Sequence, residues 1–293
     1  MSKAAVIDLG SNSIRMGIFE VIDGKFVQTE RFREHVRISE GLIEDDLLKE
    51  QPVARTLEAV AEFKKIIDKK EIKRVKMVAT EALRRAKNSC IFTEKVKEQY
   101  GIDVEIIGGM DEARYDVLAA VQSTGYQEFY MLDTGGGSLE LAYVYGGEVM
   151  KACCLPLGSV VMTERFRPDE NGANELERHI TYELIKSEVI CKKNIPIVAL
   201  GGSNKELSKI HMKKELEVDG YRIPVSDARI IYDNLKSVTL EERKTTEGLD
   251  VKRADTVVSG LCPLMVLSVL SGAEEITFST GSVREGVAAE LLS

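Results

Sequence analysis

The sequence predicts a duplicated α/β protein, in which two similar halves carry strands and helices in the same order. The first half opens with an apolar strand that closes on Asp8 and is followed by Gly10. The second half repeats this pattern at Asp133 and Gly135, 125 residues further along the chain. A later helix and strand in each half keep nearly the same offset. We therefore expect two α/β domains that face each other across a central cleft, each with a D-x-G loop at its first turn.

The first half contains three strands, a helix and a further strand. The strands are indicated by apolar runs and alternation, the hairpin by an Asp-Gly pair, and the helix by apolar residues at helical spacing. In chain order we expect strands at Ala4–Leu9, Ile14–Val21 and Lys25–Arg33 with a turn at Asp23-Gly24, then a helix at Pro52–Asp68 and a strand at Arg74–Ala79.

The second half repeats this order around the stretch FYMLDTGGGSLELAYVY, from Phe129 to Tyr145. An apolar run, an acid, three glycines and an alternating segment predict a strand, a tight loop and a second strand. The expected later elements are the strand Glu148–Leu155 after a turn at Gly146-Gly147, the helix Leu176–Val189, and the strand Ile195–Leu200, which ends on Gly201-Gly202.

The remaining segments add helices and set the expected domain limits. Helices are expected from Glu81, over Thr93–Tyr100, from Asp111 to Val121, from an N-cap at Ser226 to Leu235, over Ala254–Leu270 and after a capping box at Ser282, with strands at Ile102–Ile107 and Glu275–Ser279. We expect domain I over residues 1–120, domain II over residues 121–280, and a C-terminal helix over residues 281–293 that returns to domain I.

The composition excludes several functional classes. The chain has 293 residues, of which 44% are hydrophobic and 30% charged, as in ordinary globular proteins of two domains. The formal net charge is −8, so no overall positive field attracts nucleic acid or an anionic membrane, and we expect neither partner. The oligomeric state stays open, with a homodimer as one possibility.

The cysteines and the N-terminus indicate a cytoplasmic protein. The five cysteines show no CxxC spacing and have apolar neighbours, so we expect small buried side chains in a reducing compartment; they are Cys90, Cys153, Cys154, Cys191 and Cys262. The N-terminus runs into a strand without a secretory signal. The longest apolar stretch, Ala254–Leu270, includes Asp255 and Pro263 and is better explained as a buried helix than as a membrane span.

The loop after Asp133 has the composition of a phosphate site. Gly135, Gly136 and Gly137 have no Cβ, so their backbone can adopt positive φ and turn its N–H groups towards an anion. Asp133 at the mouth of such a loop would repel a bare phosphate unless a divalent cation or an oriented water lay between them, which predicts Mg²⁺ chemistry. A dinucleotide fingerprint and a P-loop are disfavoured because a strand follows Ser138 and the loop holds no lysine. A plain hairpin with a glycine-rich turn remains the alternative for this loop taken alone.

With these residues laid out, the chain resembles the exopolyphosphatase and guanosine pentaphosphate phosphohydrolase family, within the sugar kinase, actin and Hsp70 clan. The motifs that carry the resemblance are DLGSNSIR from Asp8, DEAR from Asp111, DTGGGSLEL from Asp133, LPLGSVVMTERF from Leu155, and RADTVVSG and VREG near the C-terminus. The resemblance implies a duplicated actin-like ATPase fold of the ribonuclease H-like type, in the short two-domain form. The chain departs from the family pattern after Gly201-Gly202, where Ser203, Asn204 and Lys205 replace the usual threonines.

The resemblance also implies roles for individual residues. Glu112 corresponds to the general base that takes a proton from the attacking water, and Asp133 and Glu140 to the acids that orient it. Mg²⁺ would be held by Asp8, Asp133 and Glu140. The residues expected to bind phosphate are Gly10, Ser11, Asn12, Ser13, Arg15, Arg84, Gly135, Gly136, Gly137, Ser138, Gly201 and Gly202.

The expected function is an Mg²⁺-dependent phosphohydrolase that removes the terminal phosphate from inorganic polyphosphate, guanosine pentaphosphate or both. Two alternatives stay open at this point. The chain could be a kinase or ATPase of the same clan that acts on a small molecule, or a non-catalytic sensor of a guanosine alarmone.

Overall fold

The computed structural model describes residues 3–22, 25–168, 172–213 and 218–292. The chain forms two compact units, the first comprising Met1–Tyr115 with Val283–Ser293 and the second comprising Asp116–Ser282. Unit 1 thus ends at Tyr115, close to the limit at residue 120 that the sequence predicts, and it includes the last helix.

Unit 1 is built on a five-stranded mixed sheet with the order β3-β2-β1-β4-β5. Its strands are β1 (Lys3–Leu9), β2 (Ile14–Ile22), β3 (Lys25–Glu34), β4 (Arg74–Ala79) and β5 (Val104–Ile106). The strands β1, β2 and β3 pair antiparallel, whereas β4 and β5 continue the sheet in parallel from β1. The central position of β1 explains its apolar run Ala4–Ile7, because both faces of the strand are covered there. The turn expected at Asp23-Gly24 lies outside the described residues.

The helices of unit 1 cover this sheet and carry two candidate site residues. They are α1 (Leu42–Asp45), α2 (Glu50–Lys69), α3 (Glu81–Arg85), α4 (Ser89–Tyr100), the start of α5 (Gly109–Thr124) and α12 (Val283–Leu292). In α2 the buried side chains include Val60, Phe63 and Ile67, which recur at helical spacing on the core face. The helix α12 packs against β1.

Unit 2 repeats the topology of unit 1 with one additional strand. Its strands are β6 (Glu128–Thr134), β7 (Leu139–Tyr145), β8 (Glu148–Leu155), β9 (Ile197–Leu200), β10 (Arg222–Pro224) and β11 (Glu275–Phe278). The order β10-β11-β9-β6-β7-β8 places β8, β7, β6, β9 and β11 as unit 1 places its five strands. The expected duplication and the expected strand, loop and strand of the DTGGGS segment are therefore confirmed.

The helices of unit 2 surround one apolar helix. They are α6 (Ser159–Phe166), α7 (Ala173–Lys186), α8 (Gly202–Met212), α9 (Val225–Ser237), α10 (Leu240–Arg243) and α11 (Val257–Ser271), with a short 3-10 helix at Val251–Arg253. The helix α11 contacts α6, α7, α8 and α9. Pro263 lies inside α11, as expected. Among the helices of the described residues, none is both long and apolar enough to cross a membrane.

Two local expectations were wrong. Ser226 is not the N-cap of its helix, because α9 already begins at Val225 after Pro224. Cys90 and Cys191 are exposed rather than buried. Local sequence also does not indicate that Arg284, in the VREG motif, is buried, and it is only 3% exposed. In each case the side chain's environment is set by tertiary packing, which local sequence does not report.

Gly260 lets α11 approach α8 closely. A Cβ at this position would overlap the Ser203 side chain. We expect Gly260→Ala to lower the free energy of unfolding by about 1–3 kcal/mol, the usual cost of overpacking a core. Urea unfolding followed by circular dichroism measures the loss. The double variant Gly260→Ala/Ser203→Gly removes the obstructing atoms and should recover much of it, so an equally unstable double variant would contradict this packing.

Candidate active site

The two D-x-G loops are closed by the same backbone hydrogen bond. In unit 1 the Gly10 N–H donates to the Ser13 carbonyl at 3.1 Å, and in unit 2 the Gly135 N–H donates to the Ser138 carbonyl at 3.0 Å. Each bond joins the end of one strand to the start of its antiparallel neighbour. The duplication therefore extends to the geometry of the two loops, beyond the order of the strands.

The carbonyl groups of the second loop are held by the start of α6. The N–H of Ser159 donates to the Gly135 carbonyl at 2.9 Å, and the N–H of Val160 to the Gly136 carbonyl at 2.9 Å. Among the residues that the structure describes, no backbone carbonyl accepts from the N–H groups of Gly136 and Gly137. The loop thus has free donors on one side and satisfied acceptors on the other, which is the arrangement an anion requires.

The backbone conformation of the second-loop glycines differs from the expected one. Of the predicted phosphate-loop glycines, Gly201 alone appears among the described residues with positive φ, at 90°. The second loop is closely packed by Gly158, the residue before α6, because a Cβ on Gly158 would overlap the backbone of Gly136 and Gly137. The expectation that Gly135–Gly137 adopt positive φ was wrong.

The first loop is held in a comparable way by the segment that follows β3. The N–H of Arg37 donates to the Asn12 carbonyl at 3.0 Å, and the N–H and hydroxyl of Ser39 donate to the Ser11 carbonyl at 3.3 and 3.1 Å. The side chains of Ser11 and Ser13 are buried. The backbone of this loop is thereby fixed from outside the D-x-G motif.

Asp133 lies beside the third glycine motif. A Cβ on Gly201 would overlap Asp133 Oδ1, so the carboxylate rests directly against the backbone that enters α8. Gly202 is the first residue of α8. Unit 2 therefore brings Asp133, the Gly135–Ser138 loop and the Gly201-Gly202 turn together.

Glu140 is the cross-strand partner of Asp133. The two residues face each other in the antiparallel register of β6 and β7. Glu140 is only 1% exposed, and its Oε1 accepts a hydrogen bond from Cys154 Sγ at 3.0 Å. Two acidic residues at one register position supply oxygen ligands of the kind that Mg²⁺ prefers.

Asp8 occupies the equivalent position in unit 1, but its cross-strand partner is Arg15. Burial raises the pKa of Asp8, and the positive charges of Arg15 and Arg284 oppose that increase. Burial lowers the pKa of Arg284, whose neighbouring charges include Glu285, Arg15 and Asp8. The first loop thus combines a buried acid with two arginines.

Glu112 lies in the first turns of α5 and pairs with Arg84. Arg84 Nη1 is 3.3 Å from Glu112 Oε2 and donates to the Ile107 carbonyl at 2.8 Å. Its Nε and Nη2 donate to Glu81 Oε2 at 3.0 and 2.6 Å. Arg84 was expected to bind phosphate, and in the structure it orients two carboxylates of unit 1.

Two arginines near the loops were not among the sequence-predicted site residues. Arg253 packs its guanidinium against Gly202, where a Cβ would overlap it, and is 6% exposed. Arg284 is the buried cation near Asp8. Both lie in motifs that carry the family resemblance, RADTVVSG and VREG, so the signal was present in the sequence. Only the structure places these side chains beside the loops.

No group of three or more His, Cys, Asp or Glu side chains with metal-site geometry is found within the described residues. The carboxylates named for Mg²⁺ divide between the units, with Asp8 in unit 1 and with Asp133 and Glu140 in unit 2.

The strand order of both sheets and the two loops define the class of protein: a duplicated α/β protein of the actin-like, ribonuclease H-like type, with a D-x-G loop in each half. Solved structures agree with this. A crystal structure of the Aquifex aeolicus member of the Ppx/GppA family is 31% identical, with a TM-score of 0.85 over 99% of this chain and 97% of that one. An exopolyphosphatase from Cytophaga hutchinsonii has the same fold at 22% identity, with a TM-score of 0.89 over 99% of this chain and 97% of that one.

The sequence comparison identifies the family. Residues 17–293 match the model of the Ppx/GppA phosphatase family, and the chain belongs to that family. A guanosine-5'-triphosphate,3'-diphosphate pyrophosphatase from Photobacterium profundum is 28% identical over 99% of this chain. The match covers 59% of that protein, so the chain spans less than two thirds of its relative's length.

The raised pKa of Asp8 gives a prediction for stability against pH. A carboxyl whose folded pKa exceeds its unfolded value, 3.8, keeps its proton more readily in the folded chain, so stability falls as pH rises through this window. Asp8→Asn removes that titration. We expect the unfolding free energy of the variant, relative to wild type, to increase from about pH 4 to about pH 7.

Urea unfolding at a series of pH values, without divalent cations, measures this difference. Asp103→Asn, at an exposed position of the same unit, serves as the control. A relative stability of Asp8→Asn that stays constant or declines over this range would contradict a buried, destabilised carboxylate at Asp8.

Proposed function

We propose that the chain is an Mg²⁺-dependent phosphohydrolase that removes the terminal phosphate from inorganic polyphosphate, guanosine pentaphosphate or both. The observation that carries this proposal is the second loop: free amides of Gly136 and Gly137 lie next to the facing pair Asp133 and Glu140. Free amides suit phosphate oxygens, and paired carboxylates suit the cation that accompanies a phosphate chain.

Glu112 is the proposed general base. Its side chain is 12% exposed, and its carboxylate lies 3.3 Å from the Arg84 guanidinium, which also donates to Glu81 and the Ile107 carbonyl. A carboxylate held in this way has a fixed orientation and is available to accept a proton from water. Arg84 acts in this proposal by orienting Glu112.

The residues of the second loop fit Mg²⁺ by their chemistry. Asp133 and Glu140 supply oxygen ligands, and Mg²⁺ is commonly bound by one or two carboxylates together with waters and substrate phosphates. When bound, the cation neutralises charge on the phosphate oxygens. The loop amides bind those same oxygens, and Asp133, set against Gly201, orients the attacking water.

The substrates are inferred from the relatives and from local charge. The Photobacterium relative is named for a guanosine pentaphosphate substrate and the Cytophaga structure for polyphosphate. Both substrates end in a phosphoanhydride that water can attack in line. The chain is acidic overall, but Arg15 faces Arg33 across β2 and β3, and Arg31 and Arg284 lie close by, so the first loop has the local positive charge that a polyanion needs.

The cytoplasm is the proposed compartment. All five cysteines are free thiols, including the exposed Cys90 and Cys191, which is the state expected in a reducing environment.

Replacing the proposed base tests the reaction directly. We expect Glu112→Gln to lower the rate of phosphate release by about 10²–10⁴-fold, because the amide cannot accept the proton. Phosphate release with Mg²⁺ would be measured in parallel on short and long polyphosphate, guanosine pentaphosphate and ATP. Glu94→Gln, exposed on α4, is the matched control and should retain activity.

The other outcomes of this assay separate the remaining functions. Unchanged release by Glu112→Gln would reject this residue as the base. Loss of ATP phosphate to an added acceptor, without hydrolysis of polyphosphate, would indicate a kinase. Binding of the guanosine compound without turnover on any divalent metal would indicate a sensor.

The proposed metal ligands predict how activity depends on Mg²⁺. Chelation by EDTA should abolish phosphate release, and added Mg²⁺ should restore it. We expect Asp133→Asn and Glu140→Gln each to raise the half-saturating Mg²⁺ concentration by about tenfold or more. Glu148→Gln, exposed on β8, provides the control. Variants with unaltered Mg²⁺ dependence would place the cation elsewhere.

A further inference from the structure

Glu140 is an acidic residue whose side chain is almost completely shielded from solvent. Its side chain is 1% exposed, and it lies on β7 between β6 and β8 in the interior of the sheet. A carboxylate removed from water is costly unless donors reach its oxygens, and its orientation then depends on those donors. The hydrogen bonds of Glu140 therefore determine where the carboxylate points.

Cys154 supplies one of those hydrogen bonds. Cys154 faces Glu140 in the register of β7 and β8, and its Sγ lies 3.0 Å from Glu140 Oε1. An ionised carboxylate only accepts hydrogen bonds, so the thiol is the donor. The two residues are adjacent on one face of neighbouring strands, where cross-strand side chains interact most directly.

We propose that Cys154 is a positioning residue, whose thiol fixes the carboxylate of Glu140 for its part in phosphate hydrolysis. The inference rests on the proposed function only for its catalytic consequence. The strand register connects this hydrogen bond to the proposed site, because Asp133, Glu140 and Cys154 are cross-strand neighbours on β6, β7 and β8. Cys154 touches no substrate in this account and acts through Glu140.

The neighbouring cysteine provides a matched control. Cys153 precedes Cys154 on β8, so its side chain points to the opposite face of the sheet. It faces Leu141 in the register and packs against the hydrophobic core of unit 2. Burial raises the pKa of the Cys153 thiol, and the nearby Ser187 side chain opposes that increase. A change at Cys153 therefore perturbs the same strand without removing the donor to Glu140.

Three variants distinguish loss of the Cys154 hydrogen bond from a general change in side-chain packing on β8. We expect Cys154→Ala to lower kcat by about tenfold with KM changed by less than about threefold, since a hydrogen bond to a charged group is lost. Cys154→Ser keeps a donor and should return kcat to within about threefold of wild type. Cys153→Ala should keep kcat within about twofold. A kcat for Cys154→Ala within twofold of wild type would overturn the proposal, as would equal losses in Cys154→Ala and Cys154→Ser.

The S–H stretching band in the infrared spectrum gives a readout that does not require activity. Subtracting the spectrum of Cys154→Ser from that of wild type isolates the Cys154 band from the other thiols. A thiol that donates to a carboxylate absorbs at lower frequency than a free thiol, so we expect a lowered band that moves upward when the subtraction is repeated in Glu140→Gln. A band that Glu140→Gln leaves in place would overturn the proposal.

The two readouts distinguish failure of this inference from failure of the proposed function. If the wild-type protein releases no phosphate from any of the four substrates, the hydrolase proposal fails and the infrared comparison alone decides the role of Cys154. If phosphate is released but Cys154→Ala retains full kcat, the hydrolase stands and the positioning role is rejected. The infrared comparison also decides the matter if Cys154→Ala does not fold.

Discussion

The close approach of Gly158 to the loop Gly135–Gly137 is the constraint on which the second phosphate loop depends. Because no Cβ intervenes, α6 can begin directly against the loop, and its first N–H groups take the loop carbonyls. The N–H groups of Gly136 and Gly137 are left to donate to any anion that binds. This close packing contact thus determines which loop groups are already hydrogen-bonded, the carbonyls, and which stay available to a ligand, the N–H groups of Gly136 and Gly137.

The two copies share these backbone hydrogen bonds, but the charged residues around the two loops differ. Both loops are closed by the same hydrogen bond, and both have carbonyls held by a neighbouring segment. The aspartate of the first loop faces Arg15 across the strands, whereas the aspartate of the second loop faces Glu140. Two facing acids repel each other unless a cation or proton donors intervene, so the second copy is the one suited to hold a cation. In the first copy Arg15 and Arg284 supply positive charge suited to a phosphate chain.

Much of the architecture was predictable from the sequence because it follows from local pattern. The runs Ala4–Ile7 and Phe129–Leu132 are continuously apolar because each belongs to a central strand with both faces covered. The repeated aspartate and glycine at the strand ends located both loops. The motifs around Glu112, Asp133 and Glu140 identified candidate residues whose roles remain predictions.

What the sequence did not predict depends on packing between distant segments. The burial of Arg284, the position of Arg253 against Gly202 and the hydrogen bond from Cys154 to Glu140 each join residues from different elements. The contacts of Arg84 with Glu81 and Glu112 were likewise not predicted, and its binding of phosphate stays a prediction. The glycines of the second loop lack the positive φ that the sequence suggested, and the residue that packs closely against them, Gly158, lies beyond the motif.

The central claim is that this chain transfers the terminal phosphoryl group of its substrate to water. Incubating the purified protein with Mg²⁺ and polyphosphate or guanosine pentaphosphate in water enriched in oxygen-18 tests this most directly. Mass spectrometry of the released phosphate should detect one solvent oxygen per phosphate, which is the result expected for attack of water on the terminal phosphorus. Phosphate without solvent oxygen, or transfer of the phosphoryl group to another acceptor, would contradict the account.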